Sequence, residues 1–354
     1  MIDLTIVALV LFIALANFYF TRWFIRYAKV KRITDIPTKR SSHNVPTPRG
    51  GGFGFVVFII ISLVAYALLK GIFLNTGFFV VLISVTIVAF LGWLDDKNDL
   101  SKEFRFAVQS LAAILVIIFI SNLDQFYLPF IGIVNLGIFG ALLGLLWITA
   151  TTNIFNFMDG VDGIASVQAF SAALGWAIFG YFWQVPLLLV INLFVIAGIA
   201  SFLFYNWSPA KIFMGDVGSV FLGFLFAIMP FIAAHFSEQV TIAETIWIAG
   251  ILLWPFLFDG TFTILRRLYE GENVFEAHRT HLYQKLNIAG WTHAGISTLY
   301  LIISFLCIGL AAAFAITTDF IQVIIFATLL FGSLVFARYV YLNTGSEEIE
   351  KKEI

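Results

Sequence analysis

Residues 77–99 read GFFVVLISVTIVAFLGWLDDKND: eighteen residues without a charge, then Asp95 and Asp96 side by side and Asp99 shortly after. A helix rises about 1.5 Å per residue, so roughly 20 apolar residues cross the ~30 Å hydrocarbon core of a bilayer. This run is therefore a membrane span whose far end is loaded with acid. The same pattern recurs on either side of it. Apolar runs at about 2–24, 51–70, 77–94, 104–121, 136–152, 164–183, 186–205, 217–236, 242–263, 293–316 and 320–342 make eleven candidate spans. Of the 354 residues 61% are hydrophobic and 12% charged, with a mean hydropathy of +0.98. A soluble domain carries about 25% charged residues, so that class is excluded. One Cys excludes a disulfide scaffold, and a net charge of −1 lacks the basic balance of a nucleic-acid binder.

The few charges are ordered. If successive connections alternate sides, every Lys and Arg except Lys70 falls on one side of the membrane. The positive-inside rule makes that side cytoplasmic, with the N-terminus outside and the C-terminus inside. In the first run Arg22, Arg26 and Lys29 follow the apolar stretch. A signal peptide has the reverse order, so the run reads as a retained helix. The expected fold is an all-α polytopic membrane protein of about eleven transmembrane helices. One transmembrane catalytic domain covers 1–342, a short cytoplasmic tail 343–354, and the active site lies in the cytoplasmic loops.

Those loops hold the unusual chemistry. They carry Asp35, His43 and PTPRGGG at 46–52; the Asp95-Asp96 pair; NIFNFMDGVDG at 153–163; NWSPAKIFMGDVGS at 206–219; and HRTH at 278–281. Acids beside a bilayer are costly to ionise, and clusters of them mark function. Two carboxylates about 4 Å apart repel by about 4 kcal/mol at an effective dielectric near 20, so several together call for a cation or a shared proton. Oxygen donors without Cys suit Mg²⁺. Asn156, Asp159 and Asp162 stand at i, i+3 and i+6, which keeps them near one face if the stretch is helical; Gly160 and Gly163 leave that open. Single acids such as Asp35, Asp99 and Asp259 read as caps or solvated loop residues. The Gly50–Gly52 triplet either loosens a helix start or lets backbone amides approach a phosphate. His43 and His293, taken alone, read as polar loop or interface residues, and Phe213 as a core aromatic able to stack a base.

Together these loops resemble the polyprenyl-phosphate N-acetylhexosamine-1-phosphate transferases, in motif order and helix count, over about residues 1–316. The resemblance rests chiefly on N-x-x-N-x-x-D-G-x-D-G from Asn153 and on Phe213-Met-Gly-Asp216-x-Gly-Ser219. It implies transfer of a sugar 1-phosphate from a UDP-N-acetylhexosamine to undecaprenyl phosphate in a bacterial inner membrane, with release of UMP. Mg²⁺ is the implied cofactor, with Mn²⁺ able to replace it; membrane lipid but no nucleic acid is a partner, and a homodimer is allowed. Carried over by motif, Asp216 is the principal metal ligand with Asn156 beside it. Asp95 takes the proton of the lipid phosphate and Asp96 positions metal or substrate. Asp159 and Asp162 complete the catalytic acids, and Phe213 stacks on uracil. His43, Arg49, Asn153, Asn206, Lys211, Arg279 and His281 are the remaining candidate substrate contacts. Where many members carry His-x-His-His, this chain reads His281-Leu282-Tyr283-Gln284. That resembles the subgroup that starts polysaccharide chains, some of whose donors are 6-deoxy sugars, and points to 278–284 as the donor-selecting segment. Two rival readings are weaker. An ion-coupled transporter would hold its acids mid-helix, and a CDP-alcohol phosphatidyltransferase would follow Asp-Gly with Ala-Arg, which 159–163 lacks.

Overall fold

A computed structural model describes residues 2–37, 45–273 and 278–350, with side chains through 344; His43 lies outside the described residues. The chain opens with α1 (Leu4–Lys31), a strand pair of β1 (Thr34–Asp35) and β2 (Thr47–Pro48), and then α2 (Gly52–Lys70), α3 (Thr76–Asn98) and α4 (Lys102–Phe119). An antiparallel hairpin, β3 (Gln125–Leu128) with β4 (Gly132–Asn135), precedes α5 (Ile138–Phe157), α6 (Ile164–Phe182), α7 (Pro186–Asn206) and α8 (Asp216–Phe236). After these come α9 (Ile242–Leu252), α10 (Trp254–Tyr269), the short α11 (Leu282–Ile288), α12 (His293–Ile316) and α13 (Asp319–Glu350). The apolar runs become helices because lipid leaves no other way to satisfy their backbone groups, and polar residues mark their starts. Asp3, Asn75, Ser101 and Thr292 each accept a backbone N–H at a helix N-terminus.

Among the described residues nine helices are long and apolar enough to cross a membrane, and α9 with α10 makes a tenth as a bent pair. The protein is thus all-α and polytopic, and its departures from the eleven expected runs have physical causes. The run expected at 104–121 is α4; Lys102, Glu103 and Arg105 in its first turn make it less apolar than the others, and it leads from the Asp95 end of α3 to the β3–β4 hairpin at the opposite end. It packs against α3 and α5 through Gln109, Ala112, Ala113 and Val116. The run expected at 242–263 is broken: α10 leaves α9 at 81°. Pro255, at the start of α10, has no N–H to give and its ring blocks the preceding turn. The freed carbonyl of Leu252 accepts Gln168 Nε2 at 2.9 Å, and Gln168 Oε1 accepts the Ser304 hydroxyl at 2.9 Å. At the C-terminus α13 continues to Glu350, beyond the boundary expected at 342.

Helix α8 is the axis of the bundle, with 94% of its apolar window buried and α2, α3 and α5 around it. Two glycines let α2 and α3 approach it closely. A Cβ on Gly52 would lie 2.6 Å from the Cα of Gly218, and one on Gly92 would lie 2.5 Å from the carbonyl oxygen of Asp216. The start of α2 and the end of α3 are thereby drawn onto the first turn of α8. The amides of Gly51 and Gly52 donate to the carbonyls of Phe213 and Met214 at 2.9 and 2.8 Å. The glycine triplet therefore serves helix packing, and these two amides are spent within the protein. The loops carrying the acids meet at one end of the bundle; the Asp3–Lys70 ion pair and the Tyr127–Asp319 hydrogen bond lie at the other. Between α5, α9, α10 and α13 runs an open apolar groove of about 760 Å³, walled by Trp147, Ile154, Trp247, Phe258, Phe262 and Leu330 among others.

Candidate active site

Helix α8 begins at Asp216 without a side-chain cap of its own. Asp96, from the end of α3, supplies one: its two carboxylate oxygens accept the N–H groups of Asp216 and Val217 at 2.9 and 3.0 Å. A carboxylate there answers both the unpaired amides and the positive end of the helix dipole. Arg49 Nη2 bridges Asp96 Oδ1 at 2.9 Å and Asp216 Oδ2 at 3.0 Å. Burial disfavours the Arg49 charge, but Asp216, Asp96 and Asp35 more than offset it and raise its pKa. Asn156, in the last turn of α5, donates to Asp216 Oδ1 and to the Ser219 hydroxyl, both at 2.8 Å. Asp216 is thus held by an arginine on one oxygen and an amide on the other.

The single helical face considered for Asn156, Asp159 and Asp162 does not form. Helix α5 ends at Phe157, and Gly163 takes φ +78°, which sends the chain into a turn. Asp162 is consumed by the scaffold. Its Oδ2 accepts Ala210 N–H at 3.1 Å, its Oδ1 lies 3.3 Å from His293 Nδ1, and its carbonyl accepts Ser297. Burial pushes its carboxyl upward, but the bonds from His293 and Ala210 prevail and hold it below its ordinary value. Asp159 is different. Its carboxylate lines a cavity and accepts no hydrogen bond from the described residues. Burial, followed by the charges of Asp216 and Asp96, pushes it up to about 7.

That cavity, about 290 Å³, is walled by Arg49, Asn156, Asp159, Asp162, Asn206, Phe213, Asp216 and Arg279 from the predicted set. Asn206 is less available than its position suggests, since its amide accepts Ser166 and donates to the carbonyl of Ile212. Five other predicted residues among those described are not on this wall. Asp95 is 4% exposed and faces α4, accepting Arg105 Nη1 at 2.6 Å and Leu100 N–H at 2.8 Å. Asn153 donates to Gln109 and to the carbonyl of Thr149. Lys211 is exposed beside the rings of Phe204 and Tyr205. His281 is 3% exposed, behind the wall, with Nδ1 3.1 Å from Asp259. Asp96 acts at the wall's back, through Asp216 and Arg49. Asp35, Ser219 and Asn287, which sequence reasoning did not single out as contacts, also line the cavity, as does Gln284 from the segment expected to select the donor. Asp35 looks like any loop acid until β1 pairs with β2. Gln284 and Asn287 are one turn apart on α11, a helix too short to leave a periodic signal.

The donor set fits a hard cation. It consists of carboxylate and amide oxygens, among them the Asp159 carboxylate, which accepts no hydrogen bond from the described residues. Among the described residues no three His, Cys, Asp or Glu side chains form a cage. Mg²⁺ asks for less, taking one or two carboxylates and completing its shell with water and substrate phosphate.

Comparison with known proteins identifies the family. The profile of Glycosyl transferase family 4 matches residues 78–234. A Bacillus subtilis protein, a probable undecaprenyl-phosphate N-acetylglucosaminyl 1-phosphate transferase, is 34% identical over 281 residues, covering 77% of this chain and 76% of its own. A Lactococcus lactis phospho-N-acetylmuramoyl-pentapeptide-transferase is 32% identical over 300 residues, 78% of this chain and 88% of its own. A Mycobacterium tuberculosis decaprenyl-phosphate N-acetylglucosaminephosphotransferase is 27% identical over 327 residues, 85% and 79%. With these matches spanning α3 to α8 and most of the remaining helices, the chain belongs to glycosyl transferase family 4, the polyprenyl-phosphate N-acetylhexosamine-1-phosphate transferase superfamily that its loop motifs resemble.

Proposed function

We propose that this enzyme transfers an N-acetylhexosamine 1-phosphate, from UDP-N-acetylglucosamine or a 6-deoxy analogue, to undecaprenyl phosphate, releasing UMP and starting a cell-surface polysaccharide. One observation carries the reading. A polar cavity and a lipid-sized apolar groove share helix α5, where Ile154 walls the groove and Asn156, about 200° of helical rotation on, walls the cavity. A phosphate on a long apolar tail fits such a junction. The segregation of Lys and Arg supports a cytoplasmic site in a bacterial inner membrane, with the N-terminus outside.

A phosphate monoester is largely dianionic at pH 7, so the attacking lipid phosphate needs little help from a base. It needs relief from repulsion as it nears the diphosphate, which is a matter of positioning and charge neutralisation. In the scheme an oxygen of the lipid phosphate bonds to the β-phosphorus of the UDP-sugar. The bond from that phosphorus to the bridging oxygen breaks, UMP leaves, and the sugar's C1–O bond survives. Asp216 and Asp159 are the residues that would hold Mg²⁺, which when bound supplies the neutralising charge on the diphosphate. Asp96 keeps the first turn of α8, and so Asp216, in place. Arg49 and Arg279 offer guanidinium groups to phosphate oxygens, and Phe213 offers its ring to uracil. Asp95, engaged by Arg105 and Leu100, fixes the corner between α3 and α4 and takes no proton in this scheme. Purified enzyme should be given undecaprenyl phosphate, Mg²⁺ and a panel of UDP-sugars. UMP should appear in step with lipid product, and excess UMP should run the reaction backwards. Stoichiometric UDP would rule the scheme out.

A further inference from the structure

Asp259 sits on α10, 1% exposed, and reads in the sequence as an ordinary cap or loop acid. Its carboxylate in fact collects five donors. The Tyr300 hydroxyl reaches it at 2.7 Å, Leu282 N–H at 2.9 Å, Tyr283 N–H and His281 Nδ1 at 3.1 Å, and the Thr263 hydroxyl at 3.3 Å. Three of the five come from the start of α11. That helix has seven residues, too few to persist by itself, so its place depends on what holds its first turn. Its outer face brings Gln284 and Asn287 to the cavity. Its Tyr283 hydroxyl donates to the Phe157 carbonyl at 3.1 Å, in the turn that leads into Asp159. On the same helix as Asp259, Phe258, Thr261 and Phe262 wall the apolar groove.

We infer that Asp259 is a positioning residue that ties α10, a wall of the groove, to α11, a wall of the cavity, and so sets Gln284 and Asn287 against the nucleotide sugar. The kinetic consequence rests on the proposed function; the structural one does not, and the experiment separates them. Hydrogen–deuterium exchange on the full chain in lipid nanodiscs compares wild type with Asp259→Asn. Amides of 281–288 should exchange about tenfold faster or more, because a hydrogen-bonded charge has been replaced by a group that cannot accept all five donors, while α6 and α8 keep their rates. In turnover, KM for the UDP-sugar should rise about tenfold with a smaller fall in kcat, and KM for the lipid phosphate should stay within about twofold. If Asp259→Asn fails to fold, Tyr300→Phe, which removes one donor and leaves the carboxylate, is read the same way with a smaller change. Unchanged protection at 281–288, or acceleration spread evenly over all helices, overturns the proposal. Wild type that turns over no UDP-sugar would count against the reaction proposed above, and the exchange result would still decide the role of Asp259.

Discussion

Raising the pH should loosen this protein when divalent cations are withheld. The carboxyl of Asp159 moves from 3.8 to about 7 on folding, because burial and the neighbouring charges of Asp216 and Asp96 favour its protonated form. Between about pH 4 and 7 the folded state therefore binds more protons than the unfolded one. Stability is lost as pH rises through that window and levels off above it. Three pH units correspond to about 4 kcal/mol from this group, less whatever water reaching the cavity recovers. Mg²⁺ should reverse the loss where the acids are ionised, with a large rise in melting temperature at pH 8 and little at pH 5. The chain provides its own reporter, since Cys307 is its sole cysteine and is 1% exposed. A dye that fluoresces on reaction with a thiol will follow unfolding in EDTA or Mg²⁺ across pH 5 to 8. Asp159→Asn should flatten the pH dependence. A melting temperature in EDTA that stays level or rises with pH would refute the reasoning, as would an equal Mg²⁺ shift at both ends.

Asp216→Asn keeps the shape of the side chain but removes the anion, so turnover should fall about 100-fold or more while the melt remains cooperative; full activity would disprove its role as a metal ligand. Arg105→Ala and Asp95→Asn break the same 2.6 Å ion pair and should damage activity alike, whereas an inactive Asp95→Asn beside an active Arg105→Ala would assign Asp95 a chemical step. Gly160→Ala places a Cβ 2.1 Å from the Tyr283 hydroxyl, which should cost about 1–3 kcal/mol; adding Tyr283→Phe should recover part of the melting temperature. In a Cys307→Ser background, Asn98→Cys should resist an impermeant thiol reagent in intact cells and Gln125→Cys should react. Reversed labelling would invert the orientation.

Much of this protein is determined by the sequence acting locally. An uncharged run of twenty residues has one stable fate in lipid, since each backbone N–H and C=O must find its partner within the segment; the runs accordingly became helices, although 242–263 is broken and the first and last helices outrun their apolar stretches. Alternation of spans, together with the placement of Lys and Arg, assigns the acid-bearing loops to one end before any contact is known. What adjacency in sequence could not settle is which way each acid faces. Asp95 and Asp96 are neighbours about 100° apart on α3; one turns to Arg105 on α4, the other caps α8, and only the packing of three helices distinguishes them. Asp159 and Asp162 share a motif, yet one is left open in the cavity and the other is tied to His293 and Ala210 across the bundle. The break at Leu253 needs Gln168 from α6, and Asp259 gains its partners from α11 and α12. These are contacts between residues tens of positions apart. Their energies depend on which helices come within hydrogen-bonding distance, a property of the assembled bundle that local periodicity does not contain.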